Sequence, residues 1–255
     1  VINALGAHGC SAITALTAQN TQGVQATEAV SENMLRAQLD ALNADLPPAA
    51  IKTGMLGSAA TCQVLAEWFQ TLAAPIICDP VLKSTSGTEL LAPASLDLLI
   101  QGIFPKVALL TPNLPEARQL IGADSQTVEE AAERLLELGV ASVLIKGGHA
   151  ADAACRDYWT DGQQARWFSS PRIETSATHG TGCILSSAIA AAVARGQDMP
   201  DAIATAKTFL NQCLKSPANV GHGNGPMRIE PFRDDPQDRP TVVGGIKSMT
   251  PATDG

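Results

Sequence analysis

The segment SATHGTGCILSSAIAAAVARG, Ser176 to Gly196, sets a glycine-rich turn directly ahead of a helix and puts a cysteine in that helix's first turn. Ile184, Leu185, Ala188, Ile189, Ala192 and Val193 recur along one helical face, Arg195 sits in the last turn, and Gly196 follows it. Gly180 and Gly182 allow a sharp turn whose successive N–H groups point at one spot, and the helix end adds roughly half a positive charge. Such a turn binds phosphate or steadies a developing anion. The competing reading is that the glycines only allow close packing of helix on strand. Cys183 stands where the helix dipole favours a thiolate, so it reads as a general base, a nucleophile or a small packed residue. No His/Asn pair can be placed beside it, which argues against a papain-like hydrolase, and His179 reads as a loop hydrogen-bonder. The pattern is neither GxxxxGK[ST] nor GxGxxG, so neither motif licenses ATP binding.

Four more polar residues, Asp79, Asn113, Glu116 and Lys146, each fall within a few residues of the end of a short aliphatic run. The runs Ile76 to Cys78, Val107 to Leu110 and Ser142 to Ile145 read as buried strands, and the polar turns DPVLKSTSG, TPNLPE and KGGH follow them. Earlier strand candidates are Ala12 to Leu16, followed by TAQNTQG, and Ala50 to Lys52, followed by TGMLGS. Thr61 to Leu72 and Thr127 to Leu138 read as helices, the second opening with a capping-box spacing between Thr127 and Glu130. Asp161 and Gly162 between two β-prone runs predict a hairpin at the sheet edge. The alternation predicts an α/β fold, a central and mostly parallel sheet with helices on both faces. In such sheets ligands bind beyond the carboxyl ends of the strands, which is where the four polar residues collect.

Composition narrows the partners. The chain has 255 residues, 45% of them hydrophobic and 16% charged, enough to bury one large core. Seventeen basic against 25 acidic residues give a net charge of -8, which disfavours nucleic acid and anionic membrane surfaces as partners. The longest nearly apolar stretch, Cys183 to Ala194, falls short of the roughly 18 residues of a spanning helix. No signal peptide is visible after Val1, and the six dispersed cysteines show no zinc-binding spacing, so reduced thiols in a cytoplasmic protein are expected. Cys78, inside PIICD, is expected in the core. Beyond Phe232 the chain offers little to bury, so residues 228–255 are expected to form a loose tail rich in Pro, Gly and charge.

In order, ALGAHGCSAITALTAQNTQGV, KTGMLGS, CDPVLKSTSG, LLTPNLPEA, VLIKGGH, THGTGC and VGHGNGPM resemble the hydroxymethylpyrimidine/phosphomethylpyrimidine kinase family of thiamine biosynthesis, within the ribokinase-like fold. The resemblance covers residues 1–227, taken as the kinase domain. In the sugar kinases of that fold it implies an Asp in place of Cys183. It implies ATP-dependent phosphorylation of an aminopyrimidine alcohol and its monophosphate, with Mg²⁺, in a homo-oligomer, a dimer or larger. Gln19, Met55 and Val81 are implied to hold the aminopyrimidine ring. Lys146, Asn113 and His179 are implied on the ATP side, and Asp79 and Glu116 at the metal. Gly180, Thr181 and Gly182 are implied to form the anion hole, and Cys183 to take the proton of the hydroxymethyl group. A pyridoxal or pyridoxine kinase of the same fold is the alternative, followed by a non-catalytic pyrimidine-binding protein. The family pattern opens with a strand and a Gly-rich turn, and this chain starts at Val1 inside the helix that follows. The family's N-terminal strand is therefore expected to be missing, with one sheet position unpaired.

Overall fold

The computed structural model describes residues 1–82, 95–122, 125, 127–147 and 154–246. The KSTSG part of the turn after Cys78, Gly148 and His149 of KGGH, and residues 247–255 of the expected tail lie outside the described residues.

Two strands, β1 (Ala15–Asn20) and β2 (Gly23–Ala29), pair antiparallel as a separate ribbon with mostly exposed side chains. A seven-stranded sheet follows, in the order β3 (Ile51–Thr53), β4 (Ile76–Cys78), β5 (Val107–Leu110), β6 (Val143–Ile145), β7 (Ala154–Thr160), β8 (Gln164–Pro171) and β9 (Thr241–Ile246). Neighbours from β3 to β6 run parallel and those from β6 to β9 antiparallel, so the sheet is mixed. The alternation of side chains along each strand divides the core into two layers. Ile76, Cys78, Val143, Ile145 and Tyr158 meet one set of helices, while Ile77, Leu144 and Trp159 meet the other.

The first layer is covered by α1 (Glu32–Asp45), α2 (Ala59–Phe69), the short α3 (Leu96–Leu98) with its π turn Leu99–Ile103, α4 (Leu114–Ile121) and α5 (Val128–Leu136). The second is covered by α6 (Thr181–Ala194) and α7 (Met199–Leu214). Ile184, Leu185, Ala188, Ile189 and Ala190 to Ala192 of α6 are all buried, because that helix lies between the sheet and α7.

The expected fold class is present, with differences at particular elements. The run expected as a strand over Ala12 to Leu16 pairs over Ala15–Asn20 instead, outside the main sheet, so TAQN is strand rather than turn. The α2 helix starts earlier than expected, at Ala59, because the Ser58 side chain accepts the Thr61 N–H and caps it. In α5, Thr127 accepts the Glu130 N–H as its spacing predicts. The Asp161–Gly162 hairpin joins β7 to β8, with Gly162 at φ 88 and the Asp161 carboxylate accepting the Gln163 and Gln164 N–H groups.

The segment after Met227 departs from a loose tail through residue 246. Phe232 stacks edge-on against Phe209 of α7, and β9 pairs with β8. Val242 and Val243 of β9 remain exposed, so backbone pairing rather than burial holds the strand. All six cysteines are free thiols, and Cys78 is a core residue as expected, its thiol pushed up to about 12 by burial. Among the described residues no helix is long and apolar enough to cross a membrane.

Candidate active site

Three of the four parallel strands, β4 to β6, end by delivering a polar group to one rim. Asp79 follows β4, Thr111 follows β5 and Lys146 follows β6. Lys146 Nζ lies 2.8 Å from Asp79 Oδ1 and 3.9 Å from Glu116 Oε2. Asp79 is only 2% exposed, and its oxygens also accept the hydroxyls of Thr111 at 3.4 Å and Ser186 at 3.3 Å. A buried carboxylate is tolerable with that many donors and would be costly without them. Burial works against the Lys146 charge, yet Asp79 and Glu116 outweigh it and hold its pKa above the ordinary lysine value. Burial also pushes the Glu116 carboxyl up, against the opposing pull of Lys146 and the Asn113 N–H, and the Asp79 charge adds to the rise.

Asn113 and Glu116 form a complete capping box at the start of α4. The Asn113 side chain accepts the Glu116 N–H at 2.8 Å, and the Glu116 carboxylate accepts the Asn113 N–H at 2.8 Å. Both residues are therefore held by local backbone geometry, and one Glu116 oxygen serves the cap and faces Lys146 as well. Capping and charge clustering are here one arrangement.

Gly180 is the N-cap of α6, at φ 82, and no side chain caps that helix. Its first N–H groups are accordingly suited to an anionic ligand. Gly182 lies close against the charged pair. A Cβ on it would stand 3.2 Å from Lys146 Nζ and 3.4 Å from Asp79 Oδ2, so the missing side chain lets the helix end approach the charged pair. Cys183 is exposed, and its Sγ lies 3.8 Å from Lys52 Nζ. Lys52 is a residue of β3, and a Cβ on Gly54 would occupy the place of its Nζ, so the KTG sequence makes room for the ammonium group.

The residues expected on the substrate side are more dispersed. Gln19, exposed on β1, has Nε2 3.2 Å from Nε2 of His179. His179, next to Gly180 in the turn that leads into α6, is thus brought into contact with Gln19 of the ribbon. Met55 is half-buried and its carbonyl accepts the Thr14 hydroxyl at 2.7 Å, which ties the base of the ribbon to the turn after β3. Val81 lines a small crevice with Gly54, Leu56, Asp79 and Leu82, which joins this side to the charged cluster.

Three contributors were missed in the sequence. Lys52 was passed over inside KTGM, although a lysine ahead of a strand-end glycine was visible. Ser186 follows Gly182 by one helical turn, and Thr111 opens TPNLPE; neither stands out by residue type or spacing, and only the fold aims both hydroxyls at Asp79. Among the described residues no three His, Cys, Asp or Glu side chains cluster as a metal site. The two hard carboxylates Asp79 and Glu116 fit the mode in which Mg²⁺ is held by one or two carboxylates together with substrate phosphates and water.

Residues 1–228 match the family model described as phosphomethylpyrimidine kinase. The chain is 42% identical to the hydroxymethylpyrimidine/phosphomethylpyrimidine kinase of Synechococcus elongatus, over 86% of this chain and 85% of that protein. It is 39% identical to the thiamine biosynthesis bifunctional protein ThiED of Geobacter sulfurreducens, over 93% of this chain but only 49% of that protein, so it spans about half the length of that relative. Among solved structures, the pyridoxal kinase from Staphylococcus aureus in complex with ADP superposes with a TM-score of 0.84, at 26% identity, over 96% of this chain and 90% of that one.

Proposed function

This chain belongs to the phosphomethylpyrimidine kinase family, and from that premise we propose that it transfers the γ-phosphoryl group of ATP to 4-amino-5-hydroxymethyl-2-methylpyrimidine and then to the monophosphate. The observation that carries the reading is one juxtaposition. Lys146 stands between Asp79 and Glu116, the glycine-led end of α6 reaches that pair, and Cys183 follows at the helix's first turn.

Phosphoryl transfer has a loose transition state and asks mainly for alignment and charge neutralisation. Lys146 holds nucleotide phosphates, with Asn113 and His179 assigned to the nucleotide side by the family pattern. The N–H groups of Gly180, Thr181, Gly182 and Cys183 face the phosphoryl group in transit. Cys183 accepts the proton of the substrate's hydroxymethyl group, and Lys52 brings positive charge beside its sulfur. Gln19 presents an amide to the donor and acceptor edge of the aminopyrimidine, while Met55 and Val81 contribute apolar wall. Asp79 and Glu116 would hold Mg²⁺, which supplies charge neutralisation between the phosphates when bound.

Incubating the chain with ATP, Mg²⁺ and the aminopyrimidine alcohol, and following product by mass, tests the reading. Absence of both the mono- and diphosphate sinks it, and calorimetric binding of the pyrimidine without product would favour a binding protein instead. A second reading, pyridoxal kinase, is favoured by the close superposition on the Staphylococcus aureus enzyme. Competition between pyridoxal and the aminopyrimidine alcohol in one preparation separates the two. A cytoplasmic location, suggested by the dispersed reduced cysteines, and a homo-oligomer of two or more copies, suggested by the family resemblance, complete the proposal, and sedimentation of the purified chain checks its assembly.

A further inference from the structure

Away from the residues assigned so far, one more ion pair among the described residues is deeply buried: Lys207 of α7 and Asp157 of β7, with side chains 5% and 7% exposed and Nζ 2.5 Å from Oδ2. The other carboxylate oxygen, Oδ1, accepts the backbone N–H of Gly147 at 2.9 Å. Gly147 directly follows Lys146, whose own N–H donates to the Pro112 carbonyl at 2.8 Å. The turn is pressed so tightly on β7 that a Cβ at Gly147 would overlap the Arg156 carbonyl oxygen. The backbone is therefore pinned on both sides of Lys146, by the α4 approach before it and by Asp157 after it.

A buried ion pair is a poor device for stability alone, since well-packed apolar side chains of like volume often do as well or better. An apolar pair could not accept the Gly147 N–H. We propose that Asp157, itself held by Lys207, is a positioning residue that fixes the Lys146–Gly147 turn and so aims the Lys146 ammonium group at the nucleotide phosphates. The proposal rests on the assignment of Lys146 to the nucleotide.

Two double variants separate positioning from mere packing. Asp157→Leu with Lys207→Met removes both charges and the acceptor. Asp157→Asn with Lys207→Met removes both charges but leaves a side-chain oxygen for the Gly147 N–H. The first is expected to speed hydrogen exchange at the Gly147 amide about tenfold and to weaken ATP binding, read by calorimetry, about tenfold or more. The KM for the aminopyrimidine alcohol should change by less than about twofold. The second is expected to recover most of the amide protection and most of the ATP affinity. If the leucine variant does not fold, Asp157→Val with Lys207→Met takes its place on the strand. Equal behaviour of the two doubles, or a Gly147 amide as protected in the leucine variant as in the parent, overturns the proposal. Exchange at Gly147 needs no ligand, so it decides the positioning role even if no variant and no parent binds ATP, an outcome that would refute the kinase reading instead.

Discussion

The two halves of the site are built differently. On the Lys146 side every charged group is supported by parallel strand ends and by a capped helix, and Asp79, Thr111 and Ser186 are buried. On the Gln19 side the principal polar residue rides on an exposed two-stranded ribbon, held by a few surface contacts: Gln19 with His179, and the Thr21 hydroxyl at its turn, which accepts the His222 and Gly223 N–H groups. Isolated hairpins are marginal in water, whereas a charge set inside a sheet rim shares the stability of the core. The contrast suits a kinase. A polyanion common to many substrates is met by fixed charge, and the specific ring is met by an element that can adjust on binding. Cys183 lies at the junction, its backbone at the rigid helix end and its thiol exposed.

That contrast makes effects on the two sides separable. Cys183→Ala is expected to have the largest, a fall in turnover of about 10²- to 10⁴-fold, the usual weight of a positioned general base. ATP affinity should hardly change, because the helix N–H groups and Lys146 remain. Steady-state kinetics with calorimetric ATP binding checks this, and unchanged turnover would return Cys183 to a packing role. Lys146→Met is expected next. It leaves Asp79 buried beside Glu116 without its cation, a loss of about 3 kcal/mol or more of stability, together with weaker ATP binding. Thermal melting and nucleotide titration read the two parts, and a variant that melts like the parent would deny the rim its structural role.

The sheet and its rim were legible in the sequence for a physical reason. Strands β4 and β5 are buried on both faces, so their Ile, Val and Leu runs are continuous and their ends are sharp. Asp79 and Lys146 each follow such a run by one residue, and Asn113 with Glu116 carries the spacing of a cap, so all four could be placed on one rim. The ribbon was less legible because neither of its strands has a buried face, which leaves no alternation to read in TAQN. The same holds for β9, where exposed Val242 and Val243 pair through the backbone. Lys52 is a different case. Its importance lies in a contact with a cysteine 131 positions along the chain, which no local pattern encodes.

On the ribbon side, Gln19→Ala is expected to raise the KM for the aminopyrimidine alcohol about tenfold, the order of a lost hydrogen bond. The KM for ATP and the melting temperature should stay near the parent values. A matching loss of stability would show the ribbon to be part of the folded core, and the contrast between the two halves would fail.

Glu116→Gln probes the rigid side with the smallest expected effect. Glutamine keeps an oxygen to accept the Asn113 N–H, so the cap survives, while the titrating group is gone. In the parent, burial holds the Glu116 carboxyl above its ordinary value of 4.5. Between that value and the raised one, the unfolded chain releases the proton while the folded chain keeps it. The folded state then binds more protons, so the stability of the parent must fall as pH rises through that window. Below the window the carboxyl is neutral in both states and the contribution is fully present; above it the contribution is lost. Denaturant melts of parent and variant across this range, without nucleotide, should therefore diverge, with the parent losing ground as pH rises. The opposite slope would mean that the pull of Lys146 outweighs burial at Glu116, and a flat difference would mean that Glu116 is solvated like the ribbon residues.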